Sequence, residues 1–372
     1  MRVLISPDSF KGTLSAKAAA EAIAAGIRQA CPEAQCDCLP MADGGEGTLA
    51  ALESLPGVHW HTDVVRGMEG EPVGAAWLSL ADGTAVIESA EVVGLGLVGQ
   101  SPLMQRHTMG LGQLLRAALA SGAPRVIVGL GGTGTNDGGA GLLVALGARL
   151  LDRAGKLLSP APATLHRLYR LDLTGLDSRL ARIRLLALAD VSNPLSGPQG
   201  ATAVYGPQKG LIAEDAAALD RSVAYLGTLG DASAGRALRT MPGSGAAGGL
   251  GWALRLLGAE IQPGAEVLAD LLGLDALLTG ADYLITGEGR SDAQTLQGKL
   301  PWRLAQHAAA CGVPAVLLSG DIDTAARGEL AHRFTHLHAL TDRYPSEKAQ
   351  SNAANCLQDC AREWAMTISG LQ

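Results

Sequence analysis

Apolar and polar positions follow a repeating plan along this chain. A short apolar run gives way to a polar, glycine-rich loop, and then to an Ala/Leu-rich segment with helical spacing. "RVLIS" (2–6) predicts a strand, followed by "PDSFKGT" and a helix from Ser15 to Ala30. "CDCLPM" (36–41) predicts a second strand, followed by "ADGGEGT" and the helix-like "LAALESL". "RVIVGL" (125–130) predicts a third, followed by "GGTGTNDGGAG" and "LLVALGA". "DYLIT" (282–286) predicts a fourth, followed by "GEGRSDAQT" and a helix from Pro301 to Cys311. "AVLLSG" (315–320) and "HLHAL" (336–340) complete the series. Apolar strands alternating with helices predict parallel strands buried on both faces.

The middle breaks this rhythm. Residues 65–98 carry two alternating segments around "ADG" (81–83), which predicts an antiparallel hairpin. A second domain inserted here accounts for the break and for the return of the rhythm at "DYLIT". The expected architecture is α/β. A Rossmann/flavodoxin-like parallel-sheet domain comprises residues 1–64 and 281–372, a second α/β domain comprises 65–280, and the active-site cleft lies between them. Near the C-terminus, Ala349, Ala353, Leu357, Cys360 and Trp364 recur at spacings of 4, 4, 3 and 4. That predicts an amphipathic helix over 346–366 with one core-facing stripe.

Composition narrows the classes. A chain of 372 residues with 47% hydrophobic content can bury two ordinary cores. A net charge of −7 and 3% aromatics argue against nucleic-acid binding. No apolar run approaches a membrane span of about 18 residues. "MRVLISPDSF" reaches Pro7 and Asp8 too early for a signal peptide, so a cytoplasmic protein is expected. The six cysteines include no CxxC pair, and reduced, mostly buried thiols are expected rather than a zinc site.

Candidate chemistry lies in the loops, because open α/β sheets bind ligands beyond the carboxyl ends of their strands. These loops hold Asp8, Ser9 and Lys11; Asp43, Gly44, Gly45 and Glu46; Gly131, Gly132, Asn136 and Asp137; and Gly287, Glu288, Arg290, Asp292 and Gln294. "ALADVSNPLSGP" (187–198) adds Asp190 and Asn193, and "GPQKG" (206–210) adds Lys209. Carboxylates among glycines suit Mg²⁺, and adjacent Lys and Arg suit phosphate or carboxylate. Any one loop also reads as ordinary turn and cap chemistry. Five or six of them exceed what turns require.

Residues 129–134 match GxGxxG, with Asp152 at the distance of a ribose-binding acid. With 49 glycines in 372 residues, about one such match arises by chance, and the chain has three. Gly138, Gly139 and Gly141 also fall inside the helix that a dinucleotide site requires, each costing about 1 kcal/mol relative to Ala. The helix is expected to start after Asn136 or Asp137 instead. An NAD-dependent reductase of a small hydroxy acid remains the alternative reading. GxxxxGK[ST] is absent, which excludes a P-loop ATPase.

Seven segments, in order and over nearly the whole chain, resemble the bacterial two-domain glycerate kinases. They are "PDSFKGTLSA" (7–16), "MADGGEGT" (41–48), "GGTGTNDGGAG" (131–141), "ADVSNPLSGPQGA" (189–201), "YGPQKG" (205–210), "GAAGGLG" (245–251) and "ITGEGRSDAQTLQGK" (285–299). The resemblance implies ATP- and Mg²⁺-dependent phosphorylation of D-glycerate to 2-phosphoglycerate, with 3-phosphoglycerate left open, in glycolate/glyoxylate or sugar-acid degradation. D-glycerate and ATP are the expected partners, and a homodimer is left open. The chain departs from the family pattern at Thr133-Gly134, Ala189, Ser196 and "ESAEVVGL" (88–95).

Residue type and loop position then assign roles. Asp190 accepts the glycerate hydroxyl proton, with Asp8 second. Lys11, Arg290 and Lys299 meet the carboxylate or the phosphates. Asp43, Asp137 and Glu288 hold Mg²⁺. Ser9, Gly44, Gly45, Gly131, Gly132, Asn136, Asn193, Lys209, Gly287, Gln294 and Lys299 line the substrate and nucleotide sites.

Overall fold

Five parallel strands form the first sheet of the computed structural model, which describes residues 1–370. Across the sheet they run Gln35–Cys38, Arg2–Ile5, Tyr283–Thr286, Ala315–Ser319 and His336–Ala339. Numbered along this unit, that order is 2-1-3-4-5, the flavodoxin-like arrangement. The strands belong to a unit made of Met1–Asp43, Ala50–Leu52 and the chain from Ala265 onward. Val3 stands opposite Tyr283 on one side and Cys36 on the other.

One face of this sheet is covered by two helices, Ala16–Ala30 and Ala353–Ser369. Val3, Ile5, Ile285, Val316 and Leu318 pack there with Ile23, Ile27, Leu357 and Trp364. Ser15 caps the first helix by accepting from the Ala18 amide. Asn352 divides the C-terminal segment into two helices, Ser346–Ser351 and Ala353–Ser369, where one was expected. The stripe of Ala349, Ala353, Leu357, Cys360 and Trp364 is nonetheless buried throughout. The two long helices meet at Gly26, where an added Cβ would lie 2.1 Å from the Gln358 carbonyl oxygen.

A six-stranded sheet organises the second unit, Gly44–Leu49 with Glu53–Gly264. Its order is Glu260–Gln262, Arg184–Leu188, Arg125–Gly129, Ala85–Glu88, Pro72–Ser79 and His59–Arg66. The first four are parallel, and the last two join antiparallel as a meander. A boundary at residue 64 would cut the pairing of His59–Arg66 with Pro72–Ser79, so the junctions fall near residues 44, 53 and 265.

The thiols are unpaired, but only Cys356 and Cys360 are buried. Cys31 and Cys36 are half-buried, and Cys38 and Cys311 are exposed, so burial is less general than expected. Among the described residues no helix is long and apolar enough to cross a membrane.

Two stability outcomes follow from the first unit. Gly26→Ala raises helix propensity yet forces a methyl group against a backbone oxygen. It should destabilise by about 1–3 kcal/mol, and a Tm equal to or above wild type would refute the close contact. His307, on the helix Leu300–Ala310, bridges Asp275 (2.7 Å) and Glu266 (3.0 Å). Burial alone would lower its pKa, but hydrogen bonds to the two carboxylates outweigh it and raise the pKa. The folded state therefore holds the proton more tightly than the unfolded chain. This stabilisation is complete below the unfolded pKa of about 6.5 and is lost as pH rises through the folded value. The Tm gap between wild type and His307→Ala should be wider near pH 6 than near pH 9. An equal gap at both would remove the coupling.

Candidate active site

The 2-1-3-4-5 order places a crevice beyond the neighbouring strands Arg2–Ile5 and Tyr283–Thr286, because their outgoing connections leave in opposite directions. The loops leaving these strands carry Asp8, Ser9 and Lys11 on one side and Glu288 and Arg290 on the other. A pocket of about 590 Å³ opens there, lined entirely by the first unit. It brings together seven predicted residues: Asp8, Ser9, Lys11, Asp43, Glu288, Arg290 and Lys299.

Asp8 sits at the buried end, 8% exposed. Its own amide donates to the Gly287 carbonyl (2.8 Å), and its Oδ1 accepts from the Ser9 amide (2.6 Å). Burial, then the neighbouring Asp43 carboxylate, pushes its pKa up to about 7, with the Ser9 amide and Lys11 opposing. Glu288 is 5% exposed. Its Oε1 accepts from Ser291 Oγ (3.0 Å) and Thr295 Oγ1 (2.6 Å), and its Oε2 lies 3.7 Å from Lys299 Nζ. Burial raises its pKa, while the Thr295 hydrogen bond and Lys299 oppose. Lys299 stands between Glu288 and Asp292, whose Oδ1 is 3.9 Å away and also caps the helix Ala293–Leu296.

The exposed Arg290 lies 3.8 Å from Asp321 and 3.6 Å from Asp323. Sequence reading missed both aspartates. They follow the strand "AVLLSG" in "GDID" (320–323), the same strand-end position that exposed the other loops. Gly287 serves packing, since a Cβ there would fall 1.8 Å from the Leu318 carbonyl oxygen. Gln294 is exposed and does not line the pocket.

The other predicted residues lie in the second unit, where the structure gives several of them to the fold. Asp137 is fully buried, and its carboxylate accepts from the Thr108 amide and hydroxyl (both 2.8 Å) and from the amides of Gly139 (2.9 Å) and Gly141 (3.0 Å). The helix Ala140–Ala145 starts beyond it, as the glycine pattern required, with Gly139 at its N-cap and the Gly141 amide of its first turn held by Asp137. A Mg²⁺ role was expected for Asp137; here its carboxylate is buried and takes four donors. Lys209 is also buried, donating to Thr133 Oγ1 (3.1 Å) and the Thr135 carbonyl (2.8 Å). Burial brings its pKa down to about 7, with Asp137 opposing. Arg106 donates to the carbonyls of Lys209 (3.0 Å) and Gly134 (3.3 Å). Arg106 and Lys209 lace the 131–137 loop from inside, where a ligand contact by Lys209 was expected.

Asn193 uses both ends of its amide, on the Gln199 carbonyl (2.8 Å) and Tyr205 Oη (2.6 Å). Asn136 donates to Thr202 Oγ1 (3.0 Å), and its buried Oδ1 has no partner. Asp190 is exposed and accepts from the Gly264 amide (3.1 Å). The glycines face one another across two loops. A Cβ on Gly131 would come 2.5 Å from Gly45 Cα, and one on Gly44 would come 2.6 Å from Leu188 Cβ. Their bare backbones permit loop-on-loop contact. Gly132 takes a left-handed φ of 60°.

Among the described residues no group of three or more His, Cys, Asp or Glu forms a ready metal cage. Asp43 and Glu288 offer the hard oxygen donors that suit a Mg²⁺ which keeps water or phosphate oxygens as its further ligands.

The sequence pattern of the Glycerate kinase family matches residues 3–369. The chain belongs to the glycerate kinase family. It is 42% identical over 374 residues to a glycerate kinase from Bacillus subtilis (strain 168), covering 99% of this chain and 98% of the relative. A glycerate 2-kinase from Escherichia coli (strain K12) is 40% identical over 328 residues, covering 87% and 86%. A crystal structure of a protein assigned as glycerate kinase 2 from Salmonella typhimurium LT2 superposes with a TM-score of 0.83 at 38% identity, covering 100% of this chain and 98% of that one.

As a glycerate kinase the chain is a phosphotransferase with ATP as co-substrate. The reductase alternative is overturned, and the structure shows why its motif misled. Asp152 follows a strand, Arg149–Leu151, that pairs antiparallel with Arg170–Asp172 in a separate two-stranded ribbon. Its carboxylate is held by the amides of Ala154 and Lys156 and by Arg167. In this glycerate kinase, Asp137→Asn would set an amide NH₂ against N–H donors. It should cost about 1–3 kcal/mol per unsatisfied buried donor. The Mg²⁺ concentration dependence of the folded variant's activity should match wild type, and a displaced dependence would return Asp137 to the metal site.

Proposed function

We propose that this glycerate kinase transfers the γ-phosphoryl group of ATP to the 2-hydroxyl of D-glycerate in the pocket of the first unit. The observation that carries this reading is the buried Asp8, with a pKa near 7, beside Asp43 and Glu288 and facing Lys11, Arg290 and Lys299. Phosphoryl transfer asks a protein for positioning and charge neutralisation rather than covalent chemistry. A mixed set of acids and bases in a pocket far larger than a three-carbon acid supplies both. The name of the E. coli relative, a glycerate 2-kinase, supports position 2.

Asp8 accepts the proton of the attacking hydroxyl. Its burial keeps it basic, which suits a general base working near neutral pH. This moves Asp190 from first place to second, because Asp190 is exposed and held by the Gly264 amide. Lys11 and Arg290 meet the glycerate carboxylate and the phosphates, and Lys299, poised at Glu288, compensates charge on the transferring group. Asp43 and Glu288 hold Mg²⁺, which when bound neutralises charge on the phosphate oxygens. Ser9 donates its amide to Asp8 and so fixes the direction of the basic lone pair.

Incubation with ATP, Mg²⁺ and D-glycerate should yield 2-phosphoglycerate by phosphorus NMR. Exclusive 3-phosphoglycerate would overturn the position, and no phosphoglycerate would overturn the activity. Asp8→Asn should lower kcat at least about 100-fold, as expected for a lost general base. Turnover within a few-fold of wild type would return that role to Asp190.

A further inference from the structure

The pocket of the first unit crosses the whole edge of its five-stranded sheet. All five strands are parallel, so their carboxyl ends lie along one edge. Each end contributes lining residues. Asp43 follows Gln35–Cys38, Asp8 and Lys11 follow Arg2–Ile5, and Glu288 and Arg290 follow Tyr283–Thr286. Asp321 follows Ala315–Ser319, and Thr341, Ser346 and Gln350 follow His336–Ala339. At about 4.8 Å between neighbouring strands, the strand ends span roughly 19 Å. That length suits an extended nucleoside triphosphate and far exceeds a three-carbon acid.

The lining changes character along this edge. Around the ends of Arg2–Ile5 and Tyr283–Thr286, Lys11 and Lys299 stand among Asp8 and Glu288. Past His336–Ala339 the lining side chains are uncharged: Thr341, Ser346, Ala349 and Gln350. Asp321 stands between these regions. Its Oδ2 lies 3.8 Å from Arg290 Nε, beyond hydrogen-bond reach, and its Oδ1 accepts from Thr341 Oγ1 (2.7 Å). Its amide donates to the Gly289 carbonyl (3.1 Å), which fixes the backbone that carries it. A carboxylate repels phosphate oxygens but accepts hydrogen bonds from hydroxyls, so this part of the edge suits a sugar diol. On the side of His336–Ala339, the Gln350 amide offers both donors and an acceptor, as a purine edge requires.

We infer that ATP lies along this edge with its nucleoside over the ends of Ala315–Ser319 and His336–Ala339. Asp321 receives the ribose hydroxyls and Gln350 meets the purine edge, which directs the phosphates toward Lys11 and Lys299. This rests on the proposed phosphoryl transfer in the same pocket and adds the direction in which the nucleotide lies. Arg290, beside Asp321, then marks the passage from ribose to phosphates.

The test is steady-state kinetics with D-glycerate, Mg²⁺ and one of ATP, 2′-deoxy-ATP, 3′-deoxy-ATP or GTP as phosphoryl donor. Wild type is compared with Asp8→Asn, Lys11→Ala, Asp321→Asn and Gln350→Ala, each checked for folding by thermal unfolding. Asp321→Asn keeps an acceptor for Thr341. It should raise the KM for ATP roughly 10-fold, the scale of a lost hydrogen bond to a charged group, with kcat and the KM for D-glycerate within about threefold of wild type. Wild type should use at least one deoxynucleotide roughly 10-fold less well than ATP, and Asp321→Asn should shrink that penalty to about twofold, because hydroxyl and carboxylate form one interaction. Gln350→Ala should bring kcat/KM for ATP and GTP closer together by roughly fivefold. An unchanged KM for ATP in Asp321→Asn, beside a slow Asp8→Asn, overturns the inference and leaves the pocket reading standing. An undiminished deoxynucleotide penalty in Asp321→Asn also overturns it, as does an equal rise in the KM of both substrates. Wild-type kinetics in both Asp8→Asn and Lys11→Ala overturn the pocket reading, and the inference with it. If Asp321→Asn does not fold, Gln350→Ala decides, and an unchanged ATP-to-GTP ratio in that variant overturns the proposal.

Discussion

The first unit depends on keeping several carboxylates together at the end of a buried parallel sheet. Asp43 and Glu288 each repel the Asp8 carboxylate, and burial disfavours the charged form of Asp8 and of Glu288. The fold meets this cost with directed partners: the Ser9 amide on Asp8, and the Ser291 and Thr295 hydroxyls with Lys299 on Glu288. The result is a buried Asp8 whose pKa is pushed up to about 7 and a buried Glu288 whose pKa is raised, with cations alongside. A site of that kind gains from a ligand that brings its own Mg²⁺ and phosphate oxygens.

The position of this site follows from strand order. In a 2-1-3-4-5 sheet the connections from strands 1 and 3 diverge, and only there do two loops open a crevice without a helix filling it. Tight packing behind the sheet keeps the strands in register. The helices Ala16–Ala30 and Ala353–Ser369 approach so closely that Gly26 admits no side chain. The second unit uses a different device. Its loops are stacked through bare glycine backbones, then pinned by hydrogen bonds to the buried side chains of Asp137, Lys209 and Arg106. Glycines bring no side chain with which to hold a loop's shape, so Lys209 and Arg106 reach in from elsewhere in the chain.

This explains which residues were legible in advance. Asp8, Lys11, Asp43, Glu288, Arg290 and Lys299 stand directly after apolar strands or in glycine turns, where polar residues are conspicuous, and all six line one pocket. Asp137 and Lys209 looked the same in sequence. A capping carboxylate and a metal-binding carboxylate share residue type and glycine neighbours, and only the direction of the side chain separates them.

By itself the sequence determined the alternation of strands and helices, the family, and the set of loops in which chemistry could occur. Those properties are local: apolar periodicity, turn residues and contiguous motifs are read within windows of about ten residues. Tertiary structure decided which acids are buried together and which are spent on the fold. It also placed the hairpin strand His59–Arg66 on the second sheet and tied Glu88 to a helix 41 residues away. Burial, register and hydrogen-bond direction depend on partners distant in sequence. The pKa of Asp8 and the saturation of Asp137 therefore exist only once the chain has closed around them.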